Sequence, residues 1–127
     1  MRVGGFRRRA KIPYPNAYAS AEQIKSAETE EHRQAMYLFN CAQRAHYNFL
    51  EHYVIALPAL LVAGVGYPRS AAVFGLIWSV GRALYATGYT NPNKEKGAGR
   101  YNGMMFYIGE MGLIGLVGKM AYDVLMG

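Results

Sequence analysis

The sequence has 127 residues, which is enough for one domain, and 52% of them are hydrophobic while only 17% are charged. This balance is too apolar for an ordinary soluble domain of that size and indicates an integral membrane protein. The net charge of +6 would suit nucleic acid. However, most of the basic residues flank apolar segments, as membrane-flanking charges do, so no nucleic-acid partner is expected.

Residues 1–30 are predicted to be a basic arm at the cytoplasmic surface of the membrane. This stretch contains Pro13 and Pro15 together with scattered charges, and it shows no helical periodicity. No apolar run follows its basic start, so a cleavable signal peptide is not expected.

Three transmembrane helices are predicted after the arm, at about residues 31–65, 71–89 and 103–126, with a short turn over 66–70 and a loop over 90–99. The first helix should begin behind Thr29 as N-cap and continue through Pro58, which a membrane helix can tolerate. At roughly 33 residues, or about 50 Å, that helix exceeds a hydrocarbon core of about 30 Å and must protrude. The predicted fold is an all-α transmembrane helical bundle.

The distribution of basic residues predicts the orientation of the bundle. The arm and the loop near residues 90–100 would share one face, and together with the start of the first helix they hold ten of the fourteen Lys and Arg residues. The positive-inside rule places that face in the cytoplasm.

Four polar residues on the first helix are spaced four, four and three apart and therefore form one stripe: Asn40, Arg44, Asn48 and Glu51. An unpaired charge at the bilayer centre costs about 2.5–3.5 kcal/mol, so the stripe should face the bundle interior or a water-filled cleft. The second helix has a similar face, formed by Arg82, Tyr85 and Tyr89.

These charges allow two interpretations. Either Arg44 or Arg82 pairs with Glu51 or Glu110 to hold helices together, or the residues bind a ligand. Cations outnumber carboxylates in these segments, and this excess favours an anionic ligand.

Other residues are predicted to be structural. Cys41 is expected to be a small apolar filler, and one cysteine excludes an intrachain disulfide. The spacing of six between His46 and His52 does not suit a metal pair on one helix face, so no metal is expected. Four glycines of the last helix are expected at close-packing positions: Gly109, Gly112, Gly115 and Gly118.

Residues 39–51 (FNCAQRAHYNFLE) resemble a helix signature of the MAPEG family. Residues 11–15 (KIPYP), residues 81–89 (GRALYATGY) and the glycine-rich last helix extend the resemblance from about residue 7 to the end. The resemblance implies a four-helix bundle that assembles as a homotrimer in the endoplasmic reticulum or another intracellular membrane. It also implies glutathione as co-substrate, bound between subunits at the cytoplasmic end.

The resemblance further implies roles for particular residues. Arg44 and one of Arg7, Arg8 or Arg9, with Arg8 the one we select, would bind the carboxylates of glutathione, and Glu51 would bind its ammonium. The peptide groups of glutathione would be bound by Asn48 and Gln43. The other wall of the site would be formed by Arg82, Tyr85 and Tyr89.

The catalytic residue implied by the resemblance is Arg100, although Lys94 or Lys96 could stand nearest the thiol instead. A nearby cation favours the thiolate, because a free thiol with a pKa near 8.5 is mostly protonated at neutral pH. The thiolate would attack a lipophilic epoxide or a lipid hydroperoxide, which makes the expected activity that of a glutathione transferase or glutathione peroxidase.

Members of the family have four spans, and the sequence predicts three, so the first span is expected to be missing. A scaffold subunit that binds lipid without catalysis, as one relative in the family does, is the alternative function. A third interpretation is a structural membrane protein with three spans and no ligand. Glutathione affinity discriminates among these alternatives, because a pure lipid carrier has no use for the polar stripe.

Overall fold

The computed structural model describes residues 2–127, and this part of the chain is helical and has no β-strand. It contains five α-helices and one 3₁₀ segment: α1 (Arg2–Ala10), α2 (Ala21–Lys25), α3 (Glu30–Gly66), α4 (Pro68–Tyr89), the 3₁₀ segment (Glu95–Gly103) and α5 (Phe106–Met126). The predicted all-α fold class is confirmed.

α3 is the longest element, with 37 residues. Its N-cap is Thr29, whose side-chain oxygen accepts a hydrogen bond from the backbone N–H of His32 at 3.1 Å. This satisfies one of the free N–H groups at the helix start. The helix continues through Pro58, as predicted. At 1.5 Å per residue its length is about 55 Å, so it extends well beyond a bilayer core.

The connections between the helices differ from the predictions. Tyr67 alone separates α3 from α4, so the predicted turn over 66–70 is wrong. Pro68 begins α4, and proline suits a first helical position because its missing N–H would have no partner there. The 3₁₀ segment occupies much of the predicted loop, and α5 begins at Phe106 instead of near residue 103.

The N-terminal arm contains α1 and α2, although its sequence shows no helical periodicity. Its apolar residues Ala10, Ile12 and Ala19 are buried against Met36 and Phe39 of α3. This burial compensates for the weak helical pattern of a glycine- and arginine-rich sequence. The arm is therefore packed along the N-terminal part of α3.

The bundle of α3, α4 and α5 is joined through small residues. Ala59 and Ala63 of α3 lie against Ala71 of α4 and Leu113 of α5. The 3₁₀ segment lies equally close to α4, because a Cβ atom on Gly103 would collide with the backbone of Tyr85 and Gly81. Small side chains let helix backbones approach closely, as is common in membrane bundles.

By length and composition, α3 alone could cross a membrane among the helices of residues 2–127. The 3₁₀ segment and α5, which meet at a bend of 47°, meet the same criterion together. The structure thus supports one span, or two with the bent pair, where three were predicted. α4 falls short because polar residues such as Ser79 and Arg82 interrupt its apolar sequence.

The α5 glycines divide into two pairs. A Cβ atom on Gly109 would lie 2.5 Å from the carbonyl oxygen of Phe74, and one on Gly112 would strike the ring of Phe74. Nothing lies within 4 Å of a Cβ atom on Gly115 or Gly118. The close-packing prediction is confirmed for the first pair and wrong for the second pair within this chain.

Gly109→Ala is therefore expected to destabilise the protein by about 1–3 kcal/mol, because a methyl group there forces α5 away from α4. Gly115→Ala is the matched control, with the same substitution in the same helix and open space around it. It should leave the stability unchanged or raise it slightly, because alanine favours helix. Thermal unfolding in detergent measures both variants, and equal melting temperatures would contradict the packing.

Candidate functional site

The polar stripe of α3 contains an ion pair within the helix itself. Arg44 Nη1 lies 2.8 Å from Glu51 Oε1, and the two side chains are 47% and 54% exposed. Because both residues belong to α3, their pairing holds no two helices together. The stripe thus presents a cation and an anion side by side on the surface of the chain.

Asn48, which lies between Arg44 and Glu51 along α3, is held in place by the buried Arg82 of α4. Arg82 Nη1 donates a hydrogen bond to Asn48 Oδ1 at 2.8 Å, and Arg82 is 5% exposed. The Arg82 guanidinium carbon lies 4.4 Å from the ring centre of Phe106 and 4.6 Å from that of Tyr85. These cation–π contacts partly compensate the buried charge. Arg82 thus fixes the position of Asn48 from inside the bundle.

Tyr85 and Tyr89 lie between the stripe and the 3₁₀ segment. Their rings meet edge to face at 5.6 Å, and the guanidinium carbon of Arg100 lies 5.4 Å from the ring centre of Tyr89. The positive charges of Arg44 and Arg100 both act through space on the two tyrosine hydroxyls. The two predicted faces therefore converge at this pair of tyrosines.

Arg100 is anchored within the 3₁₀ segment. Its Nη1 donates to the carbonyl oxygens of Lys96 and Gly97, each at 3.0 Å, and its Nη2 donates to Tyr101 Oη at 3.0 Å. Among the three candidate cations, Arg100 stacks on Tyr89, while the Nζ atoms of Lys94 and Lys96 make no hydrogen bond within residues 2–127. Arg100 is thus the one of the three whose cation lies against the ring of Tyr89.

We define the polar face as the surface formed by the stripe residues and the groups around the tyrosine pair: Arg44, Asn48, Glu51, Tyr85, Tyr89 and Arg100. The N-terminal arm reaches the edge of the polar face at Tyr18, whose ring centre lies 6.0 Å from that of Tyr47. Burial raises the pKa of Tyr18, and the positive charge of Arg44 opposes that rise. Sequence reasoning did not single out Tyr18.

Arg8 and Gln43 lie apart from the polar face. Arg8 is exposed on α1, whereas the neighbouring Arg7 is buried and its Nη1 donates to Asn16 O at 2.6 Å. Gln43 is also buried, and its Nε2 donates to Ala17 O at 2.6 Å. Within one chain, both Arg7 and Gln43 hold the arm in place.

A model of the MAPEG family matches residues 1–122. The chain belongs to the MAPEG family. Members of this family are embedded in membranes, bind glutathione and act as trimers, and they include glutathione transferases and peroxidases. No solved structure matches the chain.

A cavity of about 580 Å³ in this MAPEG chain lies between α1, α3 and α4. Of the predicted site residues, Gln43, Arg82 and the alternative candidate Arg7 line it. Its wall contains Arg2, Arg7 and Arg82 but no carboxylate. This cavity is distinct from the polar face, whose Arg44 and Glu51 are exposed at the surface.

The structure also shows a buried network that sequence reasoning missed. His52 Nδ1 lies 3.0 Å and 2.9 Å from the two carboxylate oxygens of Glu110, and Trp78 Nε1 donates to Glu110 Oε2 at 3.1 Å. Glu110 is 5% exposed. The available signal was that His52 follows Asn48 by four residues and so continues the polar stripe of α3.

Proposed function

We propose that this MAPEG protein is a membrane-bound glutathione transferase or glutathione-dependent peroxidase. Its substrates would be lipophilic electrophiles or lipid hydroperoxides. The protein would resemble microsomal glutathione S-transferase 3, and a leukotriene C synthase-like reaction would be within its range. The observation that carries the proposal is the half-exposed Arg44–Glu51 pair beside Asn48, facing the tyrosine pair and Arg100.

This pair is complementary to one end of glutathione. The γ-glutamyl group carries a carboxylate and an ammonium on one carbon. Its carboxylate can therefore pair with Arg44 and its ammonium with Glu51 in place of the Arg44–Glu51 contact, and neither charge is left unpaired. A guanidinium binds a carboxylate through two parallel hydrogen bonds. Asn48, whose carbonyl is oriented by Arg82, would donate from its amide N–H₂ to a peptide carbonyl of glutathione.

The other end of the polar face suits the thiol. Arg100 stands over Tyr89 with a charge that favours the thiolate over the thiol. Because both tyrosines and Arg100 are fixed by neighbouring groups, the thiolate would be held in one place for attack on an electrophile arriving from the bilayer.

The exposure of Arg44 and Glu51 supports assembly as a homotrimer. A charged pair on a membrane helix is costly when lipid covers it, so a second copy of the chain is the better cover. The polar face lies toward the end of the bundle where Tyr37 of α3 donates to the carbonyl oxygen of Lys94 at 3.1 Å. That end carries the basic residues, which supports a site at the cytoplasmic side of the endoplasmic reticulum or another intracellular membrane.

The direct test is turnover by the purified full chain in lipid nanodiscs. We expect conjugation of glutathione to chlorodinitrobenzene, or reduction of cumene hydroperoxide by glutathione, together with saturable glutathione binding in calorimetry. Lipid binding without glutathione affinity or turnover would instead indicate the lipid-binding scaffold. A trimer that neither conjugates glutathione nor reduces the hydroperoxide would overturn the proposal.

Arg44→Ala is expected to weaken glutathione binding roughly 10- to 100-fold, because a hydrogen bond to a charged group contributes about 1.5–3 kcal/mol. The maximal rate at saturating glutathione should change little. Calorimetry and the KM for glutathione report the loss.

The matched control is the exchange Arg44→Glu with Glu51→Arg, which keeps an ion pair but reverses its order. If the pair serves only the stability of α3, the exchange should restore binding. We expect that it does not, because the carboxylate and ammonium of glutathione would then face like charges.

A further inference from the structure

The polar face has a histidine at its membrane-facing end whose proton is positioned by Glu110. An ionised carboxylate can only accept hydrogen bonds, so the contacts at 2.9 Å and 3.0 Å place a proton on His52 Nδ1. Trp78 Nε1 fixes the carboxylate in turn. The other ring nitrogen, Nε2, is thereby left free to accept and deliver a proton.

His52 Nε2 is accessible from outside the bundle. Within residues 2–127 it makes no hydrogen bond. Among these residues, Arg82 Nε is the one side-chain nitrogen or oxygen that is both buried and without a partner, so His52 Nε2 is not buried. The His52 side chain is 17% exposed, and it directly follows Glu51 of the polar face along α3. Along α3, His52 follows Asn48 by one turn, or about 6 Å.

The surroundings of this nitrogen are aromatic. The His52 ring meets the rings of Phe106 and Tyr107 edge to face at 4.9 Å and 5.3 Å. A lipophilic substrate would enter from this apolar side, while glutathione would occupy the side of Asn48 and Glu51. The nitrogen therefore stands at the boundary between the two.

We infer that His52, oriented by Glu110, is a catalytic acid that protonates an oxygen leaving group. The inference rests on the proposed function and assigns His52 to one class of its substrates, the electrophiles with an oxygen leaving group, namely epoxides and hydroperoxides. Glu110 is a positioning residue, which holds the ring and stabilises the imidazolium before the proton is transferred.

With a hydroperoxide as substrate, the thiol of glutathione releases its proton to water near Arg100, and His52 Nε2 takes a proton from water. The thiolate sulfur attacks the terminal peroxide oxygen, an S–O bond forms, the O–O bond breaks, and the departing alkoxide takes the proton from Nε2. The sulfur is oxidised to a sulfenic acid, and the peroxide is reduced to an alcohol.

An epoxide follows the same proton path. The sulfur forms a bond to carbon, the C–O bond breaks, and the alkoxide is protonated by His52. An aryl chloride differs, because chloride leaves as an anion and needs no proton. Comparing the two leaving groups therefore isolates the role of His52.

The test compares cumene hydroperoxide with chlorodinitrobenzene in the full chain in nanodiscs. His52→Gln keeps a donor for Glu110, and we expect it to lower kcat for the hydroperoxide about 100-fold while changing the aryl chloride rate less than about threefold. Glu110→Gln should act in the same direction. His46→Gln, the same substitution elsewhere on α3, should leave both rates unchanged.

The aryl chloride rate also reports whether each variant is folded and binds glutathione. An equal loss on both substrates, or a hydroperoxide rate that survives His52→Gln, would overturn the inference while leaving the proposed function intact. A wild-type chain inactive on both substrates would overturn the proposed function, and this inference with it.

Discussion

Arg100→Ala is expected to lower kcat/KM for glutathione conjugation by about 10²- to 10³-fold, because it removes the charge that stabilises the developing thiolate. Free glutathione has a thiol pKa near 8.5, and a neighbouring cation lowers that pKa, which raises the thiolate fraction at neutral pH. The ultraviolet absorbance of the bound thiolate measures this fraction directly. Glutathione affinity should change only a few fold, because Arg44 and Glu51 remain.

Arg100 also donates to the carbonyl oxygens of Lys96 and Gly97, so the alanine variant could loosen the 3₁₀ segment. Arg100→Gln is the control, since glutamine retains hydrogen-bond donors without the charge. We expect both variants to lose the thiolate signal. If Lys94→Ala or Lys96→Ala removed the signal and Arg100→Ala kept it, the role would belong to that lysine.

The long helices were predictable because their signals are local. Thr29 caps α3 through its own side chain, and an uninterrupted apolar sequence carries the helix through Pro58. The 3₁₀ segment was missed because its geometry depends on contacts with α4. Gly97 and Lys96 adopt positive φ angles, and Tyr89 packs its ring against Gly97. A glycine-rich sequence without periodicity does not encode that fit.

The polar face could be predicted from spacing alone, whereas the pairing of its charges could not. Helical periodicity places Arg44 and Glu51 on one face, but it does not say which cation meets which anion. In the structure Arg44 pairs with Glu51, while Glu110 contacts His52 instead of an arginine. Which cation pairs with which anion depends on how α5 packs against α3, and helical periodicity does not determine that packing.

The site residues assigned by resemblance occupy three environments. Arg44 and Glu51 are exposed, Arg82 and Tyr85 are buried, and Gln43 is bonded to the arm. A sequence motif gives the order of residues along the helix, but it does not say whether each side chain is exposed, buried in the bundle or bonded to the arm. A second subunit could bring further residues to the polar face, and this contribution cannot be read from the sequence of one chain.

The exchange of Arg82 for alanine is expected to destabilise the protein by about 2–4 kcal/mol. The loss combines a cavity beneath Tyr85 and Phe106 with an Asn48 carbonyl left without its donor. Thermal unfolding in detergent, with and without glutathione, measures the effect. Arg69→Ala is the matched control, because Arg69 belongs to the same helix and is exposed.

Two roles for Arg82 predict different results in that measurement. If Arg82 holds Asn48 in place and does not contact glutathione, as its burial indicates, Arg82→Ala should lower the melting temperature both with and without glutathione. Glutathione should still stabilise the variant. If Arg82 instead binds glutathione directly, as the family resemblance implies, the stabilisation by glutathione should disappear while the melting temperature without ligand stays near that of the wild type. Because Arg82 is 5% exposed and its guanidinium lies against aromatic rings, we expect the first result.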